Sequence, residues 1–212
     1  MQFTKDNLLL YAVTDRAWVG EKSLLEQVEE ALQGGVTLVQ LREKEMDEET
    51  FLHEALQMKE LCHKYQVPLI INDNVGVAIK SGADGVHVGI EDTPVSEIRK
   101  QVGKDFIIGA TAKTVEQAQK AEASGADYLG VGAVFSSGTK KSAVRITREQ
   151  LQEICNSVSI PSVAIGGITL ENVSQIDVES ICGIAVVSAI FGAEDIKAVA
   201  EELKKKVKTM IK

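Results

Sequence analysis

The chain has 212 residues, 44% of them hydrophobic and 25% charged, with a formal net charge of -8. That length can bury a sizeable core, and a single domain over 1–212 is the expectation. The acidic balance disfavours nucleic acid or an anionic membrane as partner, so an anionic substrate would need a local cationic pocket or a metal ion.

Short apolar runs alternate with amphipathic stretches along the whole chain. Residues 8–13 read as a strand closing on Thr14-Asp15. Residues 23–32 carry Leu24, Leu25, Val28, Ala31 and Leu32 at helical spacing, and Gly34-Gly35 stops the run. A second strand over 36–41 precedes a helix over 48–65. A third strand at 68–71 ends in Asn72-Asp73, and a short helix leads to Gly82. The fourth strand is 85–89, and Pro94 fits the first turn of the helix holding Val95, Ile98 and Val102. Strand five at 106–110 ends at Thr111 and is followed by a helix over 115–123. Strand six covers 128–135 and runs into Ser136-Ser137-Gly138-Thr139-Lys140-Lys141. A helix over 148–155, a strand at 162–165 closed by Gly166-Gly167 and a weakly patterned helix over 170–176 follow. Strand eight at 183–187 ends at Ser188, and the last helix is 196–207.

Eight strand–helix units at even spacing, with strands too continuously apolar to face water, predict parallel strands covered on both faces. Ser81-Gly82-Ala83-Asp84-Gly85 recurs as Ser124-Gly125-Ala126-Asp127-Tyr128, each time between a helix and a strand. The expected fold is α/β, a single (β/α)8 TIM barrel; an open doubly wound sheet lacks its glycine fingerprint after strand one. Cys62, Cys155 and Cys182 have no C-x-x-C spacing, which predicts buried free thiols in a reducing compartment. No basic-then-apolar leader opens the chain, and no apolar run approaches the ~18 residues of a membrane span. A cytoplasmic protein is expected, with the oligomeric state left open.

In such a barrel the loops after the strands form the active face. Gln40, Arg42 and Lys44 share one face at the end of strand two, with Leu41 and Glu43 on the other. Cations gathered at a strand end suit an anion site, although a fraying, solvated strand end would look similar. Asp73 and Asp92 follow neighbouring strands and together suit Mg²⁺, which takes one or two carboxylates and leaves the rest to water and phosphate. Against that, Asp73 could be an N-cap and Asp92 a turn residue before Pro94. Gly166-Gly167 and Val187-Ser188 fall where barrels build phosphate sites from backbone N–H groups; a tight turn is the plain alternative for the glycines. The Ser-Ser-Gly-Thr-Lys loop adds hydroxyls and a cation but is no P-loop. No G-x-S-x-G or H-E-x-x-H occurs. His53 and His63 read as surface groups and His87 as a packed, hydrogen-bonded histidine. Lys44 or Lys140 as a Schiff-base lysine fits less well than a diphosphate site.

Taken together, these motifs resemble the thiamine-phosphate synthase family over nearly the whole chain. The resemblance runs through Tyr11-Ala12-Val13-Thr14-Asp15, Gln40-Leu41-Arg42-Glu43-Lys44, Ile71-Asn72-Asp73 and Gly85-Val86-His87-Val88-Gly89 with Asp92. It continues through Gly125-Ala126-Asp127, Thr139-Lys140, Ala164-Ile165-Gly166-Gly167-Ile168 and Val186-Val187-Ser188. It implies a TIM-barrel transferase of thiamine biosynthesis. That enzyme joins hydroxymethylpyrimidine diphosphate to a thiazole phosphate, carboxylated in some members, and releases pyrophosphate. It implies that the pyrimidine diphosphate lies on Gln40, Leu41, Arg42, Glu43, Lys44, Asn72, Thr111 and Lys140. Mg²⁺ would fall on Asp73 and Asp92, and the thiazole phosphate on Ser137, Gly138, Thr139, Gly167, Val187 and Ser188. Arg42, Lys44 and Lys140 would carry the catalytic charge stabilisation.

Some positions depart from the family pattern. Gly109-Ala110-Thr111-Ala112-Lys113 stands where a Gly-x-Ser-x-His is usual, so Lys113 replaces a histidine. Ser136-Ser137-Gly138-Thr139-Lys140 stands for a Pro-Thr-x-Thr-Lys loop, and Ser142 for an acidic residue. The sister TenI-like thiazole tautomerase is implied to use a histidine after strand six and to lack the paired aspartates. Gly132-Ala133-Val134-Phe135 has no histidine there. A non-catalytic barrel that binds thiazole phosphate is the remaining alternative.

Overall fold

A computed structural model describes residues 3–136 and 145–211. Eight parallel strands close into a barrel in sequence order: β1 Leu10–Val13, β2 Leu38–Leu41, β3 Leu69–Asn72, β4 Gly85–Val88, β5 Ile107–Ala112, β6 Tyr128–Gly132, β7 Ser162–Ile165 and β8 Gly183–Val186. β1 pairs with β8, with Tyr11 opposite Ala185, and that pairing closes the ring. The helices are α1 Leu24–Gln33, α2 Glu48–Lys64, α3 Val75–Ser81, α4 Val95–Val102, α5 Val115–Ala123, α6 Arg148–Asn156, α7 Ser188–Phe191 and α8 Ile196–Met210.

Strand alternation sorts the barrel residues into two cores. Leu10, Ala12, Val39, Leu41, Leu69, Ile71, Val86, Val88, Ile108 and Ala110 face outward and pack against the helices. Tyr11, Val13, Leu38, Ile70, Ile107, Tyr128, Val163 and Ala185 fill the interior. Gly109 is required there: a Cβ at that position would overlap the Tyr128 ring and the His87 imidazole. The repeated Gly-Ala-Asp turn has a second use beyond ending a helix. The Asp84 carboxylate accepts from Leu69 N at 2.8 Å, and the Asp127 carboxylate accepts from Ile108 N at 2.7 Å. In each case an aspartate opening one strand satisfies a backbone donor on the strand before it.

Several boundaries differ from the sequence expectation. Strand six ends at Gly132 rather than 135, because Val134 N and Phe135 N turn to Ile165 O and Gly166 O. Strand five continues through Thr111 to Ala112, paired with Val131. The stretch 170–176 forms only a single 3-10 turn at Val173–Gln175. Ser188 opens α7 instead of ending a strand. All three cysteines are free; Cys62 and Cys155 are buried, whereas Cys182 is only half-buried. No helix among the described residues is long and apolar enough to cross a membrane. Ser137, Gly138, Thr139 and Lys140 lie outside the described residues.

Candidate active site

The carboxyl ends of the strands surround a cavity of about 200 Å³ that opens at one end of the barrel. Gln40, Arg42, Asn72, Thr111, Gly167, Val187 and Ser188 all line it, although they come from five different strand ends. The inward register explains the convergence. The residues Gln40, Asn72, His87 and Thr111 alternate with outward aliphatic neighbours on β2 to β5. Leu41 and Glu43 point away from the mouth. Leu41 is fully buried in the outer core, and Glu43 Oε2 accepts from Arg16 Nε at 2.8 Å.

Charge is concentrated on the β1–β4 side. Arg42 Nη1 donates to Asp15 Oδ2 at 3.0 Å, and Thr14 Oγ1 accepts from Arg42 N at 3.0 Å. Lys44 Nζ lies 3.0 Å from Asp73 Oδ2, which brings the second cation to the rim. Asp73 adopts a left-handed φ of 59°, rare for a residue with a Cβ, while its N–H donates to His87 O at 2.9 Å. It is not the cap of α3: Asn74 is, accepting from Val77 N at 2.9 Å. That removes the plain structural explanation for Asp73. Asp92 does keep a turn role, its Oδ2 accepting from Gly89 N at 2.7 Å.

The two aspartates face each other within hydrogen-bonding reach. Burial and the Asp73 carboxylate push Asp92 up. Burial acts most strongly and would raise Asp73, but Lys44, Asp92 and Asn72 together outweigh it and the net direction is down. Two repelling carboxylates with one neighbouring ammonium fit a hard divalent cation that takes carboxylate oxygens and keeps positions open. Among the described residues no group of three metal-ligating side chains exists, so the remaining ligands would have to be water or substrate.

The floor of the cavity is a buried polar chain. Gln40 Nε2 donates to Tyr11 Oη, which lies 2.8 Å from Tyr128 Oη. The Tyr128 hydroxyl is 3.1 Å from His87 Nδ1, and His87 Nε2 is 3.1 Å from Thr111 Oγ1. Burial pushes the His87 imidazole down to about 4, so it is neutral near pH 7. Burial also raises both tyrosines. His87 is therefore the hydrogen-bonded histidine that the sequence predicts, yet it also lines the cavity. Sequence reasoning missed Tyr11 and Tyr128 because a tyrosine in an apolar strand reads as core. Lys113 lines the cavity as well, with no carboxylate partner among the described residues.

The β7–β8 side is built from backbone. Gly166 and Gly167 have φ of 103° and 65°, which only glycine adopts freely. A Cβ on Gly167 would run into the carbonyl of Ser136, where the strand-six loop crosses. Gly167 O accepts from Asn172 Nδ2 at 2.8 Å, which fixes the turn. Among the described residues the buried Asn72 Nδ2 makes no well-formed hydrogen bond, although it lies near enough to Asp73 to help hold that carboxyl down. Such a group is costly unless a ligand satisfies it.

The family model described as thiamine monophosphate synthase matches residues 10–190. The chain belongs to the thiamine monophosphate synthase family. A thiamine-phosphate synthase from Ruminiclostridium cellulolyticum is 50% identical over 94% of this chain and 95% of its own length. One from Clostridium tetani is 48% identical over 92% and 93%. The solved thiamine phosphate pyrophosphorylase from Pyrococcus furiosus superposes with a TM-score of 0.88 at 38% identity, covering 98% of this chain and 99% of that one. With the thiamine monophosphate synthase family comes the activity: synthesis of thiamine phosphate, a transferase reaction of thiamine biosynthesis on small phosphorylated substrates.

Proposed function

We propose that the cavity joins hydroxymethylpyrimidine diphosphate to a thiazole phosphate, with Arg42, Lys44 and Lys140 stabilising the leaving pyrophosphate. The observation that carries this reading is the charge arrangement at the β2–β4 rim, where Lys44, Asp73 and Asp92 cluster and Arg42 and Asn72 line the cavity. Asp73 and Asp92 would hold Mg²⁺, which when bound supplies fixed positive charge to the diphosphate oxygens.

The pyrimidine ring lies over the polar floor, between Gln40 and Thr111. The bond between the pyrimidine methylene carbon and the diphosphate oxygen breaks, and its electron pair leaves with pyrophosphate. Arg42 and Lys44 meet that charge as it develops, as positive groups already in place where it forms. Lys140, which follows β6 in sequence, adds a third cation. The electron-rich aminopyrimidine stabilises the carbon left behind. The thiazole nitrogen then forms the new carbon–nitrogen bond. Ser137, Gly138, Thr139, Gly167, Val187 and Ser188 hold the thiazole phosphate and so keep that nitrogen close enough to outrun water. No protein nucleophile is needed. Leu41 and Glu43 take part only through backbone or by bracing the strand end, since their side chains face away. Mixing purified protein, both substrates and Mg²⁺ should release pyrophosphate together with thiamine phosphate. Absence of Mg²⁺-dependent product would contradict the assignment of the site.

A further inference from the structure

The floor chain has a direction, and it can be worked out by counting protons. Gln40 Nε2 is the donor to Tyr11 Oη. Tyr11 then has its own proton to place, and the Tyr128 hydroxyl at 2.8 Å is its partner. Tyr128, having accepted that proton, must donate onward to His87 Nδ1 at 3.1 Å. A neutral imidazole that accepts at Nδ1 carries its proton on Nε2. It therefore donates to Thr111 Oγ1 at 3.1 Å. If Tyr128 donated to Tyr11 instead, the Tyr11 proton would be left without an acceptor at a site 1% exposed, which is costly.

We infer that Tyr128, which does not line the cavity, is a positioning residue that fixes the polarity of the His87–Thr111 end of the floor. It holds His87 as the Nε2–H tautomer. Thr111 Oγ1 already accepts from His87, so its hydroxyl proton is left to point into the cavity as a donor. At the other end Gln40 has one N–H engaged by Tyr11, which leaves its carbonyl oxygen as an acceptor beside the second N–H. The floor thus takes a planar heterocycle with an N–H donor on one edge and a ring-nitrogen acceptor on the other. An aminopyrimidine has that pattern, and this step rests on the proposed function. A ring with the two groups exchanged would turn a donor toward the Thr111 hydroxyl proton and would be disfavoured there. Gly109 belongs to the same device, because any side chain there would push Tyr128 and His87 apart.

The test begins with the unmodified, ligand-free protein. Its three histidines give a simple ¹⁵N ring spectrum, and His87→Gln identifies the resonance of interest. Near neutral pH the expected result is a neutral ring protonated at Nε2. A ring protonated at Nδ1, or an imidazolium, overturns the proposal without reference to turnover. Tyr128→Phe keeps the ring and removes the link. It should mix the two tautomers and raise KM for the pyrimidine diphosphate about tenfold, the scale of one misdirected hydrogen bond, with kcat changed far less. A folded Tyr128→Phe protein with wild-type tautomer or wild-type KM overturns the positioning role. Where that variant fails to fold, the wild-type spectrum still decides the polarity. Failure of the synthase reading would appear separately, as loss of turnover with the Nε2–H tautomer intact.

Discussion

The two sides of the barrel mouth solve the same problem with different materials. The β2–β4 arc uses side-chain charge: Arg42 and Lys44 are each held by an aspartate, and Asp73 and Asp92 face one another. The β7–β8 arc uses backbone: Gly166 and Gly167 in left-handed conformations, with Val187 and Ser188 beside them. Side-chain charge can be removed without disturbing the path of the chain, whereas a backbone cradle cannot. Substitutions in the first arc should therefore reduce chemistry and leave the fold intact. Substitutions in the second should change fold and binding together.

The largest effect is expected at Asp73. Asp73→Asn keeps shape and tolerates a φ of 59°, since asparagine adopts that region readily. It should lower kcat by roughly 10³-fold and weaken the response to Mg²⁺, with little change in Tm. Unchanged rate and metal response would reduce Asp73 to a structural turn. Arg42→Ala comes next, with a loss of roughly 10²-fold in kcat/KM and a melting temperature near wild type. A variant that melts early yet turns over normally per folded molecule would break the contrast between the arcs. On the other side, Gly167→Ala should cost about 1–2 kcal/mol of stability and raise KM for the thiazole phosphate in the same protein. Denaturant unfolding and steady-state kinetics on one preparation would show whether the two move together.

The smallest effect is a pH dependence belonging to neither arc. The ordinary histidine value is 6.5, and burial holds His87 near 4 in the folded barrel. The unfolded chain binds the proton first, so this contribution is fully present above about pH 6.5. It is lost as pH falls from there through about 4. Between pH 7 and about 5.5 the loss is on the order of 1 kcal/mol. His87→Gln should flatten that part of the stability–pH curve; an unaltered slope would mean that His87 is not the group responsible.

The contrast between the arcs also explains what could be read from the residues alone. The eight strands and their parallel order followed from apolar runs punctuated by glycine, because hydrophobic burial acts locally along the chain. The charged arc was legible too, since Gln40, Arg42, Asp73 and Asp92 are conspicuous polar groups at strand ends. The side-chain directions of Leu41 and Glu43 follow from strand alternation, which set them opposite Gln40 and Arg42. The end of strand six was not legible, because its hydrogen bonds go to Ile165 and Gly166, 30 or so residues further on. Nor was the floor chain: Tyr11, Tyr128 and His87 come from three strands, and no local pattern marks their hydroxyls as partners.

The central claim is that the β2–β4 arc grips a metal-bridged diphosphate. A crystal soaked with pyrophosphate and Mn²⁺ in place of Mg²⁺ tests it most directly, through the anomalous signal of the metal. The account predicts one metal bound by oxygens of Asp73 and Asp92, with pyrophosphate oxygens completing its shell and Arg42 and Lys44 in contact with the anion. A metal bound elsewhere, or pyrophosphate out of reach of both cations, would contradict it.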